Sequence, residues 1–134
     1  MLITREIDYA LRILRHLQHG MASAAEIEKT QQVSADFSRK ILRKLKKAGI
    51  VEAVRGSRGG YILSVPCDNL TLWDVKVALE PESMVNRCTC DDYVCENRDK
   101  SSCGVHRECC RIEALLKKEM KTALTSRSST SWSA

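Results

Sequence analysis

Aromatic side chains make up only 4% of this 134-residue sequence, although hydrophobic residues as a whole make up 43%. We therefore expect a folded core that is built from aliphatic side chains. The sequence also lacks an apolar run long enough to span a membrane, and residues 1–19 carry charges where a signal peptide would be apolar. These absences predict a cytoplasmic protein with no membrane partner.

Motifs of known catalytic machinery are missing as well. We find no Walker loop, no glycine motif that would cradle a substrate and no catalytic triad pattern. We therefore expect that the protein is not an enzyme, and we keep a redox enzyme or electron carrier only as a rival class. A chain of 134 residues is long enough for one compact domain with an extension, but too short for two large domains.

Positive charge is concentrated in one part of the chain. The net charge is +5, yet residues 34–60 contain eight basic and two acidic side chains, so this segment carries +6 and the remainder sums to −1. A concentrated basic segment is typical of a surface that binds nucleic acid phosphates.

Hydrophobic spacing predicts a mostly α-helical protein that begins with three helices. The first helix is expected over 4–19. The second begins at Ser23, where Ser23 and Glu26 have the spacing of a capping box. The third is capped by Ser34 and ends at Gly49, and its basic residues lie opposite its apolar ones.

A small β-hairpin is predicted after the third helix. Its strands are expected at 51–54 and 61–65, and the connection between them is basic and contains three glycines. A fourth helix is expected over 71–80. Two short helices, a basic third helix and a basic hairpin are together typical of a winged helix-turn-helix.

This arrangement predicts which side chains contact DNA. A helix fits the major groove, where exposed side chains meet base edges, and glycines allow a wing to turn tightly beside the duplex. Lysines of the third helix, including Lys44, are expected to contact phosphates, whereas ordinary solvation of a charged helix face is the alternative. The predicted DNA-binding residues are Ser38, Arg39, Lys40, Arg43, Lys47, Arg55, Ser57 and Arg58.

Three segments carry a resemblance to a known family. Residues Ile7–Arg12 look like its first-helix signature, Val54–Leu63 closely match its wing, and Ala78–Glu80 match the end of its fourth helix. Over roughly residues 1–125 the chain thus resembles the Rrf2 family of bacterial regulators, which includes the IscR and NsrR types. The resemblance implies a homodimer that binds a partly palindromic, double-stranded operator, usually as a repressor.

Cysteine is the second informative pattern. The chain has seven cysteines, and an odd number in a cytoplasmic protein argues against structural disulfides. Thiolates favour iron–sulfur clusters or zinc, and the paired C-x2-C knuckles of zinc sites are absent. We predict an iron–sulfur cluster, with a thiol redox switch, zinc or inert thiols as alternatives. Six cysteines follow the order Cys88-x-Cys90-x4-Cys95-x7-Cys103-x2-His106-x2-Cys109-Cys110.

The family resemblance implies a set of ligands. Cys88, Cys95 and Cys103 match by position the three cysteines that hold a cluster in many members of the family. His106 matches the histidine that is the fourth ligand in IscR-type members. The alternative for His106 is an ordinary residue at the start of a helix.

Other ligands stay open because the cysteine spacings differ from those of the family. Cys90 and Cys109 are possible substitutes, and the cluster is either 2Fe–2S or 4Fe–4S. Asp8 matches the carboxylate that the other subunit contributes in NsrR-type members. The alternative for Asp8 is a charge that favours the positive N-terminal end of its helix.

The whole chain is therefore predicted to have four segments. They are a winged helix-turn-helix domain (1–81), a cysteine-rich cluster-binding loop (82–106), a dimerisation helix (107–125) and a disordered tail (126–134). The last helix has an apolar face that nothing else in the chain covers, so we expect it to pair with a second copy. We predict that the cluster controls operator binding, and a cluster-free thiol or metabolite sensor on the same fold is the rival.

Overall fold

The computed structural model describes residues 2–82, 85–96 and 99–122. The predicted tail and the last three positions of the predicted dimerisation helix lie outside these ranges. No helix within the ranges is both long and apolar enough to cross a bilayer. The described elements are α1 (Arg5–Leu17), α2 (Ala24–Gln31), α3 (Ala35–Lys47), β1 (Val51–Val54), β2 (Gly60–Leu63), α4 (Leu72–Leu79) and α5 (Gly104–Met120).

Polar N-cap residues set the start of the first three helices. Ser23 Oγ accepts the Glu26 N–H at 3.2 Å, and Glu26 Oε2 accepts the Ser23 N–H at 2.6 Å, so the predicted capping box is present. Thr4 and Ser34 cap α1 and α3 by accepting backbone N–H groups in the same way. Gln32 follows α2 with a left-handed backbone, at φ 57°, and turns the chain toward α3.

The predicted hairpin is present, although its second strand is Gly60–Leu63 and not 61–65, and it is attached to the helical part. Strands β1 and β2 are antiparallel, with Val51 opposite Leu63 and Val54 opposite Gly60. Tyr61 exchanges two backbone hydrogen bonds with Ala22, of 2.8 and 3.1 Å. This short bridge holds the wing against the segment that leads into α2.

The core is aliphatic, as the composition predicted. Helices α1, α3 and α4 contact one another around it, and β1 contributes its first residue. Full burial of a Leu or Ile side chain is worth roughly 1.5–3 kcal/mol, so this cluster fixes the position of α3. Its buried members are Ile7, Ala10, Ile13, Leu14, Leu17, Ala22, Ile27, Ile41, Leu42, Leu45, Ile50, Val51, Leu70, Val75 and Leu79.

Helix α5 begins at Gly104, three residues before the predicted start. The Arg107 N–H donates to the Cys103 carbonyl at 3.1 Å, so Cys103 is the N-cap residue. His106 therefore lies inside the first turn of α5 and not in the loop before it. The division of the chain into functional segments stays a prediction.

Candidate functional site

The outward face of α3 presents a row of basic side chains. Arg39, Lys40, Arg43 and Lys47 are all exposed, whereas the opposite face of the helix is buried. Arg39 Nη1 lies 2.8 Å from Asp36 Oδ1. Exposed pairs of this kind contribute at most about 1 kcal/mol, so the guanidinium can exchange this partner for another anionic group at little cost.

Ser38 does not belong to this exposed row, and its predicted role as a DNA-binding residue is wrong. Its side chain is fully buried, and its Oγ donates to the Val33 carbonyl at 3.3 Å. Ser38 precedes Leu42 by four positions and Leu45 by seven, which places it on the buried face of α3. This spacing was visible in the sequence and could have predicted that Ser38 is buried.

Lys44 is likewise not among the exposed phosphate-binding side chains, contrary to the prediction. Its Nζ donates to Glu6 Oε1 at 2.7 Å and to the Leu79 carbonyl at 3.3 Å. This one ammonium group therefore joins α3 to α1 and to the C-terminal end of α4, where a helix favours a cation.

The wing carries the remaining predicted DNA-binding residues. Arg55, Ser57 and Arg58 are all exposed between the two strands. The Gly59 N–H donates to the Gly56 carbonyl at 3.0 Å, and Gly56 has φ +121°, a conformation that side chains rarely allow. The glycines thus shape a tight tip from which the two arginines project.

The cysteine-rich segment packs on α5 through two short 3-10 turns, at Arg87–Thr89 and Lys100–Ser102. Thr89 Oγ1 donates to Glu113 Oε2 at 2.5 Å, which fixes the first turn against α5. Lys100 Nζ donates to the Cys90 carbonyl at 2.9 Å and lies 5.7 Å from the centre of the Tyr93 ring. Polar and cation–π contacts therefore hold a segment that has little apolar surface to bury.

Four thiols come together where the first of these turns meets α5, and we call them the thiol cluster. The thiols of Cys109, Cys110 and Cys103 are close enough to the Cys88 thiol to act on it electrostatically. Partial burial, and after it these neighbouring thiols, raise the pKa of Cys88 above its ordinary value. The structure thus joins two of the three predicted cysteine ligands, Cys88 and Cys103, with two cysteines of α5.

The other candidate ligands have different surroundings. His106 Nε2 lies 3.5 Å from Cys110 Sγ, one turn further along α5. Asp8 pairs with Arg12 at 3.0 Å on α1. Cys95 is half-buried between the two 3-10 turns, and Cys90 lines a cavity of about 640 Å³ beside the first turn.

Two contacts of α5 were missed in the sequence, namely those of Cys110 with His106 and of Glu113 with Thr89. The sequence contains a signal for both contacts, namely the spacing of four residues between His106 and Cys110 and between Cys109 and Glu113. Residues four positions apart lie on one helical face, so His106 pairs with Cys110 and Cys109 shares a face with Glu113. Without knowledge of the earlier helix start, these pairings could not be assigned.

The donor set of the thiol cluster fits a soft metal or an iron–sulfur cluster, because thiolates are the ligands that both prefer. In the described part of the chain, however, no three His, Cys, Asp or Glu side chains are already arranged to hold a metal ion.

The outer side of α5 carries an apolar stripe. Val105, Ile112 and Leu115 are 66%, 36% and 51% exposed, and their spacing places them along one face. The inner side contacts α4, where Lys117 Nζ lies 5.0 Å from the Trp73 ring centre. The stripe is the kind of surface that a second copy of the helix can cover.

Comparison with known proteins gives a match to a family model. The model, Rrf2, is described as an iron-dependent transcriptional regulator and matches residues 3–125. This match confirms the resemblance found in the sequence.

Solved structures show the same fold. The chain is similar to CymR (YrzC), the global cysteine regulator of B. subtilis, with 25% identity and a TM-score of 0.68 over 91% of this chain and 92% of that one. It is similar to the oxidized form of Staphylococcus aureus CymR, with 22% identity and a TM-score of 0.68 over 97% and 100% of the two chains. It is also similar to T. potens IscR, with 23% identity and a TM-score of 0.57 over 87% and 80%. The predicted winged helix-turn-helix with a long C-terminal helix is confirmed.

Proposed function

The chain belongs to the Rrf2 family of transcriptional regulators, and from this premise we propose that it is a cytoplasmic homodimeric repressor controlled by an iron–sulfur cluster. The observation that carries the proposal is the thiol cluster, in which loop and helix cysteines converge beside a winged helix-turn-helix. The family's description as iron-dependent also supports it.

In the DNA-binding half of the proposal, α3 enters the major groove and the wing lies beside the duplex. Exposed Arg39 and Arg43 suit bidentate contacts to guanine, and Lys40 and Lys47 suit phosphates. The arginines of the wing tip, with Ser57 between them, suit the phosphate backbone or a narrow minor groove.

In the sensing half, Cys88, Cys95 and Cys103 hold the cluster together with a fourth ligand from the candidates above. When bound, the cluster supplies iron that oxygen, nitric oxide or iron scarcity can remove. In this proposal, the positions of these thiolates determine where α5 lies against the rest of the chain.

Contacts on the inner side of α5 connect this helix through α4 to α3, the helix that we propose binds DNA. Lys117 of α5 stacks on Trp73 of α4, and the Leu79 carbonyl at the end of α4 accepts a hydrogen bond from Lys44 of α3. We propose that a shift of α5 on ligand binding changes the tilt or spacing of the two α3 helices in the dimer. The apolar stripe of α5 forms the dimer contact.

The first prediction tests the cluster. Anaerobic reconstitution with iron and sulfide is expected to give a brown protein that contains iron and acid-labile sulfide. Cys88→Ser and Cys103→Ser should each lose most of this iron, because each removes a thiolate. Cys67→Ser is the matched control, because Cys67 lies before α4 and outside the thiol cluster.

A colourless wild-type protein that still binds its operator would contradict the proposal and favour a second candidate, a thiol-redox regulator. The proximity of the Cys88 and Cys109 thiols and the similarity to CymR favour that candidate. In it, the two thiols give two electrons and two protons to hydrogen peroxide. An S–S bond forms, the O–O bond breaks, and two waters leave. Mass spectrometry of peroxide-treated protein would then show a Cys88–Cys109 disulfide.

A further inference from the structure

We propose that a groove between α3 and α4, lined by Lys47, Trp73 and Val77, binds a small molecule with an apolar body and one acidic group, and that this ligand weakens DNA binding. The site involves none of the candidate cluster ligands, so it goes beyond control by a cluster. Only the effect on DNA rests on the proposed function, because that effect requires Lys47 to contact a phosphate.

The groove has the size and the lining of a site for a small ligand. Its volume is about 750 Å³, and such sites usually measure roughly 300–1,000 Å³ and are mostly apolar. Val77 of α4 is a large apolar side chain that is 42% exposed at this surface. Further apolar walls come from Ile50, Val65, Trp73 and Pro81. These side chains suit a compact apolar body, such as one or two aromatic rings.

The charges of the groove favour an acidic group. Three charged side chains line it, and two of them already have partners. Lys44 Nζ donates to Glu6 Oε1 at 2.7 Å, and Asp74 Oδ2 accepts two hydrogen bonds from Thr71. Lys47 is exposed and has no hydrogen bond or ion pair of its side chain within the part of the chain that the structure describes. The groove therefore offers one available cation beside apolar walls, which complements a carboxylate or a similar anion.

Lys47 also connects the groove with the proposed DNA interface. It follows Arg43 by four positions and belongs to the exposed basic row of α3. An ammonium group that is paired with a ligand cannot neutralise a phosphate at the same time. Ligand and operator therefore compete for this one side chain, and the bound ligand weakens DNA binding. By linkage, bound DNA weakens ligand binding by the same factor.

The test of the acidic group uses 8-anilinonaphthalene-1-sulfonate, an aromatic sulfonate that becomes fluorescent in apolar surroundings. Its uncharged analogue N-phenyl-1-naphthylamine has the same rings and no acidic group. Both probes are titrated into the full chain and into two variants. We expect Lys47→Ala to weaken binding of the sulfonate about 2- to 5-fold, as for the loss of an exposed ion pair, and to leave binding of the amine unchanged. Lys40→Ala is the matched control and should bind both probes like the wild type, because Lys40 is exposed on the same helix but does not line the groove.

A substitution that fills the groove tests the position of the apolar body. Val77→Trp should weaken binding of both probes, because the larger side chain takes up space in the groove. Met21→Trp should weaken neither, because Met21 is similarly exposed, at 46%, but lies outside the groove.

Measurements on the wild-type protein avoid any folding defect of a variant. Saturating operator DNA should displace the sulfonate and reverse its fluorescence. The sulfonate in turn should lower operator affinity and reduce the slope of log affinity against log salt concentration by about 1, since one phosphate contact is lost.

Three results would overturn the proposed site. The first is the absence of saturable binding of the sulfonate, and the second is binding that neither Lys47→Ala nor Val77→Trp changes, which would place the probe elsewhere, for example on the apolar stripe of α5. The third is probe fluorescence that rises when the protein is diluted to monomers, because a second copy would then cover the groove.

The outcomes also separate this inference from the proposed function. If operator-bound protein retains the sulfonate at full affinity, the effect of the ligand on DNA binding is wrong. If the protein binds no operator at all, the proposed function is wrong, and the probe titrations on the variants still decide whether the groove is a ligand site.

Discussion

Replacing Arg43 with glutamate is expected to weaken operator binding by about 5- to 150-fold, which corresponds to ~1–3 kcal/mol. Arg43 is exposed in the middle of α3, on the face opposite the buried Leu42 and Leu45. From this position it can reach a guanine edge with two hydrogen bonds. Glutamate would remove these bonds and place a negative charge against the DNA.

The measurement is fluorescence anisotropy on operator DNA at fixed salt, with Lys118→Glu as the control. Lys118 is exposed on α5 and undergoes the same change of charge. It should retain nearly full affinity, because it lies outside the proposed interface. An equal loss in both variants would mean that overall charge, and not the position of Arg43, determines binding.

Replacing Lys47 with alanine should weaken binding to all DNA sequences alike, because a phosphate contact carries no sequence information. It should also lower the slope of log affinity against log salt concentration by about 1, which the same anisotropy measurement at several salt concentrations would show.

Replacing Gly59 with alanine is expected to reduce operator affinity at least about tenfold and to cost ~1–3 kcal/mol of stability. A Cβ at this position would lie 2.2 Å from the Val54 carbonyl oxygen and 2.9 Å from that of Gly56. Both neighbours are backbone atoms, so the end of the hairpin must open. Arg55 and Arg58 would then leave their positions together.

Gly104→Ala is the control for this substitution. A Cβ at Gly104 meets no atom within 4 Å, and the residue lies at the start of α5. Thermal melts followed by circular dichroism and anisotropy on metal-free protein should leave this variant close to wild type. If Gly59→Ala binds DNA as tightly as Gly104→Ala, the wing does not contribute to binding as we propose.

Features set by local sequence were predictable. The Ser23 capping box, the hairpin at its glycines and the order of the helices depend on residues close together in the chain. The motif from Val54 to Leu63 also predicted the family that the comparisons then confirmed.

Features set by packing were harder to predict. Lys44 looked like one more exposed lysine, but its ammonium is held by Glu6 and the Leu79 carbonyl, which are distant in sequence. Ser38 was misassigned for a different reason, because its polarity was given more weight than its spacing from Leu42.

The cysteine site likewise has one part that the sequence predicted and one part that depends on packing. The family resemblance implied Cys88, Cys95 and Cys103 as candidates, but the contribution of α5 depends on how that helix is rotated against the loop. A start at Gly104 and the Thr89–Glu113 hydrogen bond determine this rotation, and together they direct Cys109 toward Cys88. Neither feature is marked in the sequence by a motif.

The most direct test of metal-controlled repression is to measure operator affinity twice on one anaerobic preparation, before and after its iron is removed, at the same salt concentration. We expect the two dissociation constants to differ by about 5- to 150-fold, the range of a typical allosteric coupling. Equal dissociation constants for protein with and without iron and sulfide would contradict the account, even if the protein bound DNA tightly in both states.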